Sequence, residues 1–277
     1  MPMISVSHMT ALDAEPELMV EAAARAGFDG VGLRIFPPRH APDQYPITGD
    51  AARSKMLRRL ADDHGIRIFE AESFGLDAHF SPDPYSRALE TAALLGADVI
   101  VSAGIDDDTG RLVANYNWLA EAAAQHGIRM TMEFMPYRGM KTLDSALAVH
   151  AAVAHPNAKL LIDAIHLSRS GAGVADIAAI PDRSIIGHFH ICDAPAIAPE
   201  RIEDKQAESR VGRLYPGEGG LPLAELMALL PSDCSISLEA PHRDLQDRTA
   251  EQRVMAAGKV TRAWFKALSA NNGKMDG

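Results

Sequence analysis

The chain repeats one phrase of apolar and polar positions. A stretch with apolar residues at helical spacing ends in glycine, and a short apolar run follows at once. It reads AAARAG then FDGVGL, LADDHG then IRIFEA, AALLG then ADVIVSA, and AAAQHG then IRMTME. The glycines are Gly27, Gly65, Gly96 and Gly127, 31 to 38 residues apart. Glycine just past the last helical residue gives a left-handed cap without Cβ strain. A short apolar run bounded by such signals reads as a buried strand. The period is that of a strand–helix unit.

Extending the phrase predicts eight strands, over 3–7, 30–36, 66–71, 99–103, 129–134, 159–163, 185–192 and 235–239. Helical patterns fall between them, among them 16–26, 51–64, 85–95 and 142–154. Strands alternating with helices imply a parallel sheet. Eight units without a break in composition imply a closed (β/α)8 TIM barrel, one domain over 1–277 with a frayed polar tail at 271–277. A doubly wound open sheet is the rival, but no GxGxxG turn follows the first strand. Two connections are long: 36–50, with Pro37, Pro38, Pro42 and Pro46, and 192–222, with Pro195, Pro199, Pro216 and a glycine cluster. Both follow a strand, so both belong to the rim where such barrels hold their chemistry, and long loops there shape a pocket or a lid.

Composition narrows the function classes. A formal net charge of −10 argues against a nucleic-acid-tracking or anionic-lipid surface, since both need clustered cations. Cys192 and Cys234 are too few for a disulfide framework and read as small buried hydrophobes, so a cytoplasmic home is expected. There is no secretory signal pattern and no run of membrane-spanning length. A homo-oligomer is compatible with the sequence.

Four strand ends carry the chemistry: Glu133 in RMTME, Asp163 in KLLID, His190 in IIGHFH and Glu239 in SISLE. Any one carboxylate at a strand end reads equally as a helix cap or an ion-pair partner. Four consecutive strands ending in metal-capable residues require that reading four times. Three carboxylates and an imidazole suit one divalent metal ion, Mn²⁺ first, with Mg²⁺, Co²⁺ or Zn²⁺ as alternatives. His188 shares a strand face with His190 but lies deeper, as a core or supporting residue. His166, three residues past Asp163, is placed to carry a proton. Arg210 and Arg213 sit in the second long connection, where an arginine can clamp an anion or a hydroxyl. Arg34 and Glu72, at the ends of strands 2 and 3, are weaker candidates for the pocket wall.

The second half of the chain, in MEFMPYR, LLIDAIHLSRSG, GHFHICDAP, SRVGRLYPGEG and SLEAP, resembles the xylose isomerase-like TIM barrel superfamily. That group holds sugar phosphate isomerases and epimerases, inosose dehydratases, 3-dehydroshikimate dehydratases and endonuclease IV. The resemblance implies Glu133, Asp163, His190 and Glu239 as metal ligands. It also implies proton transfer by Glu133 and Glu239 and a substrate contact at His166. Ketose 3-epimerases carry an arginine six residues past the metal histidine and a glutamate six past the strand-5 glutamate; here these are Ala196 and Gly139. DAP followed by SR and R before PGEG is instead similar to the 3-dehydroshikimate dehydratase branch, which implies Ser209 and Arg213 as substrate contacts. Strand 3, IFEAES, lacks the arginine expected of that branch.

The expectation is a metal-dependent isomerase or epimerase that removes a proton α to a carbonyl on a small polyhydroxylated keto substrate. A dehydratase of the inosose or 3-dehydroshikimate type and a non-catalytic sugar-binding barrel are the alternatives. An endonuclease IV-type nuclease would need more histidine ligands and a basic face.

Overall fold

Residues 3–38 and 44–272 are described by the computed structural model of the chain. Eight strands form a closed barrel in chain order. They are β1 (Ile4–Val6), β2 (Gly30–Arg34), β3 (Arg67–Leu76), β4 (Val99–Gly104), β5 (Arg129–Glu133), β6 (Ala158–Asp163), β7 (Ile186–Ile191) and β8 (Ser235–Leu238). Every neighbouring pair is parallel, including the closing pair β1 and β8. The connecting helices are α1 (Pro16–Ala26), α2 (Ala51–Asp63), α3 (Pro82–Leu95), α4 (Thr109–Gln125), α5 (Leu143–Val153), α6 (Ala164–Arg169), α7 (Val174–Ala178), α8 (Ile202–Val211) and α9 (Leu223–Leu229), with α10 (Ala250–Asn272) after β8. The four glycines that punctuate the sequence take φ of 79°, 66°, 75° and 70°, the left-handed region that a side chain disfavours.

Alternation along the strands separates two environments. Met130 and Met132, Leu160 and Ile162, Phe189 and Ile191, and Ile236 and Leu238 join the apolar core. Burial of one such side chain stabilises by roughly 1.5–3 kcal/mol. The opposite parity carries Thr131, Glu133, Asp163, His188, His190 and Ser237, all buried. The barrel interior is therefore polar toward its mouth, and each group there needs a partner. Gly32 is part of this arrangement: a Cβ at that position would lie 2.2 Å from Glu72 Oε1.

Two elements differ from the sequence expectation. Strand 3 was expected over 66–71 but runs to Leu76. Its pairing with β4 slips between Ala71 and Phe74, and Ser73 takes φ 80°, so a bulge interrupts the alternation before the strand resumes. Glu72 therefore lies inside the strand rather than at its end. The connection 192–222 was read as loop, yet it contains α8. This helix buries only Ser209, so IEDKQAESRV carries no apolar stripe to announce it. In the other long connection, 39–43, including Pro42, lie outside the described residues. Of the expected frayed tail, Asn271 and Asn272 end α10, and 273–277 lie outside the described residues.

The β1–α1 connection rests on a neutral histidine. His8 Nδ1 accepts the Arg34 backbone N–H at 3.0 Å, and its Nε2 donates to the Ala14 carbonyl at 3.0 Å. Burial pushes its pKa down to about 4, aided by Arg34 and opposed by the Ala14 hydrogen bond. A second proton would displace the Arg34 contact. The folded pKa lies below the unfolded one, so the stabilisation is complete above pH 6.5 and is lost as pH falls toward about 4. We predict that the protein is ~2 kcal/mol less stable at pH 5 than at pH 7.5 through this group. Urea denaturation at both pH values should show that His8→Gln flattens this part of the dependence. A slope unchanged in the variant would assign the loss to other groups.

Candidate metal centre

Because all eight strands run the same way, their C-terminal ends share one rim. Glu133 closes β5, Asp163 closes β6, His190 lies near the end of β7, and Glu239 follows β8 directly. Register levels them: Asp163 pairs with His190, and His190 with Ser237. The structure brings all four side chains together, one ligand atom from each lying within 4.8 Å of the others. His190 Nδ1 is 3.2 Å from Glu239 Oε2, 3.7 Å from Glu133 Oε1 and 3.8 Å from Asp163 Oδ2. Both His190 Nδ1 and Glu133 Oε1 are buried without a hydrogen-bond partner. Buried polar atoms are rarely left so. Two orphaned donor atoms facing each other among further carboxylates fit a cation held between them.

Asp163 serves two structural purposes at once. Its Oδ1 caps α6 by accepting the N–H groups of Ile165 and His166. Its Oδ2 faces the cluster and takes Arg213 Nη1 at 2.6 Å. The capping and ligand readings of this residue are thus compatible, one oxygen for each. Burial opposes its charge, but Arg213, His166 and His190 outweigh that and hold its carboxyl at about 2. For His190, burial lowers the pKa and the surrounding Glu239, Glu133 and Glu70 carboxylates raise it well above the ordinary value. With His190 neutral, as a metal ligand must be, three carboxylates against one guanidinium leave two negative charges in the mouth, the complement of one divalent cation.

Arg213 is packed against the clustered carboxylates. It is 2% exposed. Its Nη1 bonds Asp163 Oδ2 and the Glu239 carbonyl, its Nη2 bonds Glu239 Oε1 at 2.7 Å, and its Nε bonds the Ser209 carbonyl. The guanidinium braces two of the four clustered carboxyl and imidazole groups from behind. Ser209 is also buried, its hydroxyl donating to the Gln206 carbonyl and accepting from Tyr137 Oη at 2.8 Å. The segment that delivers Arg213 is anchored by Asp193, whose carboxylate accepts the N–H groups of Ala194, Gly217, Gly219 and Leu221. Helix α8 is clamped by a buried bidentate pair between Arg169 and Glu208 at 2.7 and 2.8 Å.

His166 lies in the first turn of α6, 2% exposed, with its ring 5.6 Å from that of Tyr137. Arg210 is exposed on α8. Arg34 closes β2 with Nη2 against Met9 Sδ. Glu72 accepts the His8 N–H, and burial, with Glu70 and Glu239 adding to it and Arg34 opposing, raises its carboxyl to about 8. His188 lies two residues deeper than His190, paired with Leu161 and Ser235. Both cysteines are buried, which pushes their thiols up to about 12.

Two residues escaped the sequence reading. Glu70, fully buried, approaches His190 Nε2 at 3.1 Å. Its signal was parity, since a strand that turns Glu72 inward also turns Glu70 inward. Tyr137 stands between His166 and Ser209, in a loop that no periodicity marks.

A model of the xylose isomerase-like TIM barrel family matches residues 20–264. The chain is 28% identical over 222 residues to a 3-dehydroshikimate dehydratase of Pseudomonas aeruginosa, which covers 76% of this chain and 33% of that protein. It is 24% identical over 148 residues to an inosose isomerase of Halalkalibacterium halodurans, covering 52% of this chain and 50% of that protein. The matches thus span about a third and about half of those relatives' lengths. Among solved structures, the IolI protein with a bound zinc atom superposes with a TM-score of 0.75 over 94% of this chain and 96% of that one, at 20% identity, a likeness of fold.

Arg213 gives this geometry a direct test. Replacing it with methionine keeps much of the side chain's bulk but leaves the buried Asp163 and the partly buried Glu239 carboxylates without their countercharge. Arg213→Met should destabilise the protein in chelator by about 3–5 kcal/mol, read from chemical denaturation. A loss below about 1 kcal/mol, the range of an exposed pair, would show that the guanidinium does not balance the cluster.

Proposed function

The chain belongs to the xylose isomerase-like TIM barrel family, and from that we propose a divalent-metal enzyme that removes a proton next to a carbonyl of a small polyhydroxylated keto compound. The observation that carries this reading is the unequal engagement of two glutamates beside His190. Glu239 has both oxygens held, one by Arg213 and one by Ser7. Glu133 keeps Oε1 without a partner. Glu239 is thereby held in place by two partners, and Glu133 is the less engaged carboxylate, to which we assign the proton transfer.

Glu133, Asp163, His190 and Glu239 would hold the metal. The oxygen-rich donor set with one imidazole favours Mn²⁺, with Mg²⁺, Co²⁺ or Zn²⁺ as alternatives, and the zinc of the IolI structure supports a divalent ion on this scaffold. Such a cation, when bound, supplies Lewis-acid polarisation of a carbonyl oxygen. The Glu133 carboxylate takes the proton from the adjacent carbon, and the electron pair left behind moves toward the carbonyl oxygen. Asp163 and Glu239, braced by Arg213, keep their places while charge shifts. His166, beside Tyr137 at the mouth, gives or returns the second proton.

The fate of the proton sets the product. Returned to the opposite face it yields an epimer, and returned to the neighbouring carbon an isomer. Dehydration is the second reading, favoured by the similarity to a 3-dehydroshikimate dehydratase over 76% of the chain. There His166 would protonate a departing β-hydroxyl, which leaves as water. The net charge of −10 supports a small-molecule substrate rather than nucleic acid. The buried free cysteines suit a reducing cytoplasm.

The reading is tested with ketoses, ketose phosphates, inososes and 3-dehydroshikimate in the presence of Mn²⁺. A primary deuterium isotope effect is expected at the carbon next to the carbonyl. Glu133→Gln should lower kcat by roughly 10²–10⁴-fold. No isotope effect under conditions where chemistry limits the rate would exclude proton abstraction and leave hydride shift or hydrolysis.

A further inference from the structure

Below the rim, the barrel interior holds a carboxylate that the proposed reaction does not use. Glu70 is 0% exposed on β3. Its Oε1 accepts the Ser5 hydroxyl at 2.7 Å, and its Oε2 lies 3.1 Å from His190 Nε2 and 3.6 Å from His188 Nε2.

The distances rank the partners of this group. His188 Nε2 stands 3.6 Å from Glu70 Oε2 and has no hydrogen-bond partner, while His188 Nδ1 meets the Ser235 hydroxyl at 2.7 Å. His190 Nε2, at 3.1 Å, is the nearer imidazole to Glu70. The Ser5 hydroxyl is committed to Glu70, so Ser237, at 2.7 Å, donates to Ser5. The donor at hydrogen-bond distance from Glu70 Oε2 is His190 Nε2–H. An imidazole that ligates a metal is neutral and has a single N–H. With that N–H on Glu70, Nδ1 is the nitrogen left for a metal, and it is the atom that faces Glu133, Asp163 and Glu239.

We infer that Glu70 is a positioning residue that holds His190 with its proton on Nε2, so that Nδ1 is presented to the metal. The inference rests on the divalent-metal reading above. A buried carboxylate at this nitrogen fixes ring orientation as well as tautomer, and it raises the basicity of the ligating nitrogen. Ser5 and Ser237 in turn fix Glu70, so the array links β1, β3, β7 and β8 across the barrel.

The experiment has two arms. In metal-free wild-type protein, ¹⁵N-resolved NMR of the histidine rings should show a proton on His190 Nε2 hydrogen-bonded to Glu70, whether or not the charged ring also carries one on Nδ1. His190 protonated at Nδ1 alone would overturn the inference, whether or not any variant folds. In the second arm, Mn²⁺ and Zn²⁺ are titrated calorimetrically into wild type and Glu70→Gln. Loss of the ionised carboxylate should weaken both ions by about 10–100-fold with all four ligands intact, and should shift the His190 ring signals. Equal affinities with unchanged ring signals would overturn the role of Glu70 while leaving the metal reading in place. A wild type that binds neither ion would instead overturn the metal reading, and the tautomer would still be decided by the first arm.

Discussion

Carboxylates crowd at the barrel mouth, and much of the surrounding structure answers to that. Two like charges about 4 Å apart repel by about 4 kcal/mol at the effective dielectric typical of protein sites. Glu133, Asp163 and Glu239 all lie within reach of one imidazole nitrogen, in a site of low exposure. The fold places a guanidinium behind two of them, a helix N-terminus under one, and a serine hydroxyl on another. Parallel strands force this meeting, because every strand ends on the same rim. The countercharges let the mouth persist, and the residual negative charge defines what can enter.

The eightfold architecture was legible in the sequence because its signals are local. Glycine caps and apolar runs repeat with the period of the strand–helix unit, and α1 has the predicted bounds, 16–26. The juxtaposition of the four strand-end residues was also within reach, because strand order alone fixes which ends are neighbours. What could not be read depended on contacts between distant segments. A bracing role for Arg213 was not readable, because its segment is long and polar. Only the fold shows the chain returning at Asp193 and Leu214 to press the guanidinium behind Asp163 and Glu239. Glu70 was hidden by the bulge at Ser73, which drew attention to Glu72 as the apparent strand end. Helix α8 was hidden because a helix that rests on ion pairs leaves no hydrophobic period.

The interior of the barrel also departs from the packed aliphatic layers common to this architecture. Ser5, Glu70, His190 and Ser237 form a hydrogen-bonded array under the mouth. Such an array contributes less to stability than apolar packing of the same volume, and leaving any member unsatisfied is costly. Its worth lies in orientation, since each member dictates where the next one's hydrogen points.

Asp193 gathers four backbone N–H groups and so makes the segment after α8 rigid just where Arg213 leaves it. Loops on this rim are often treated as interchangeable modules that can be exchanged to alter substrate range. Here such a graft would carry away a structural strut of the candidate metal centre along with the rim around it. Redesign of specificity on this scaffold has its freedom in the exposed side chains of α8, while the backbone path from Asp193 to Leu221 and its buried anchors have to be kept.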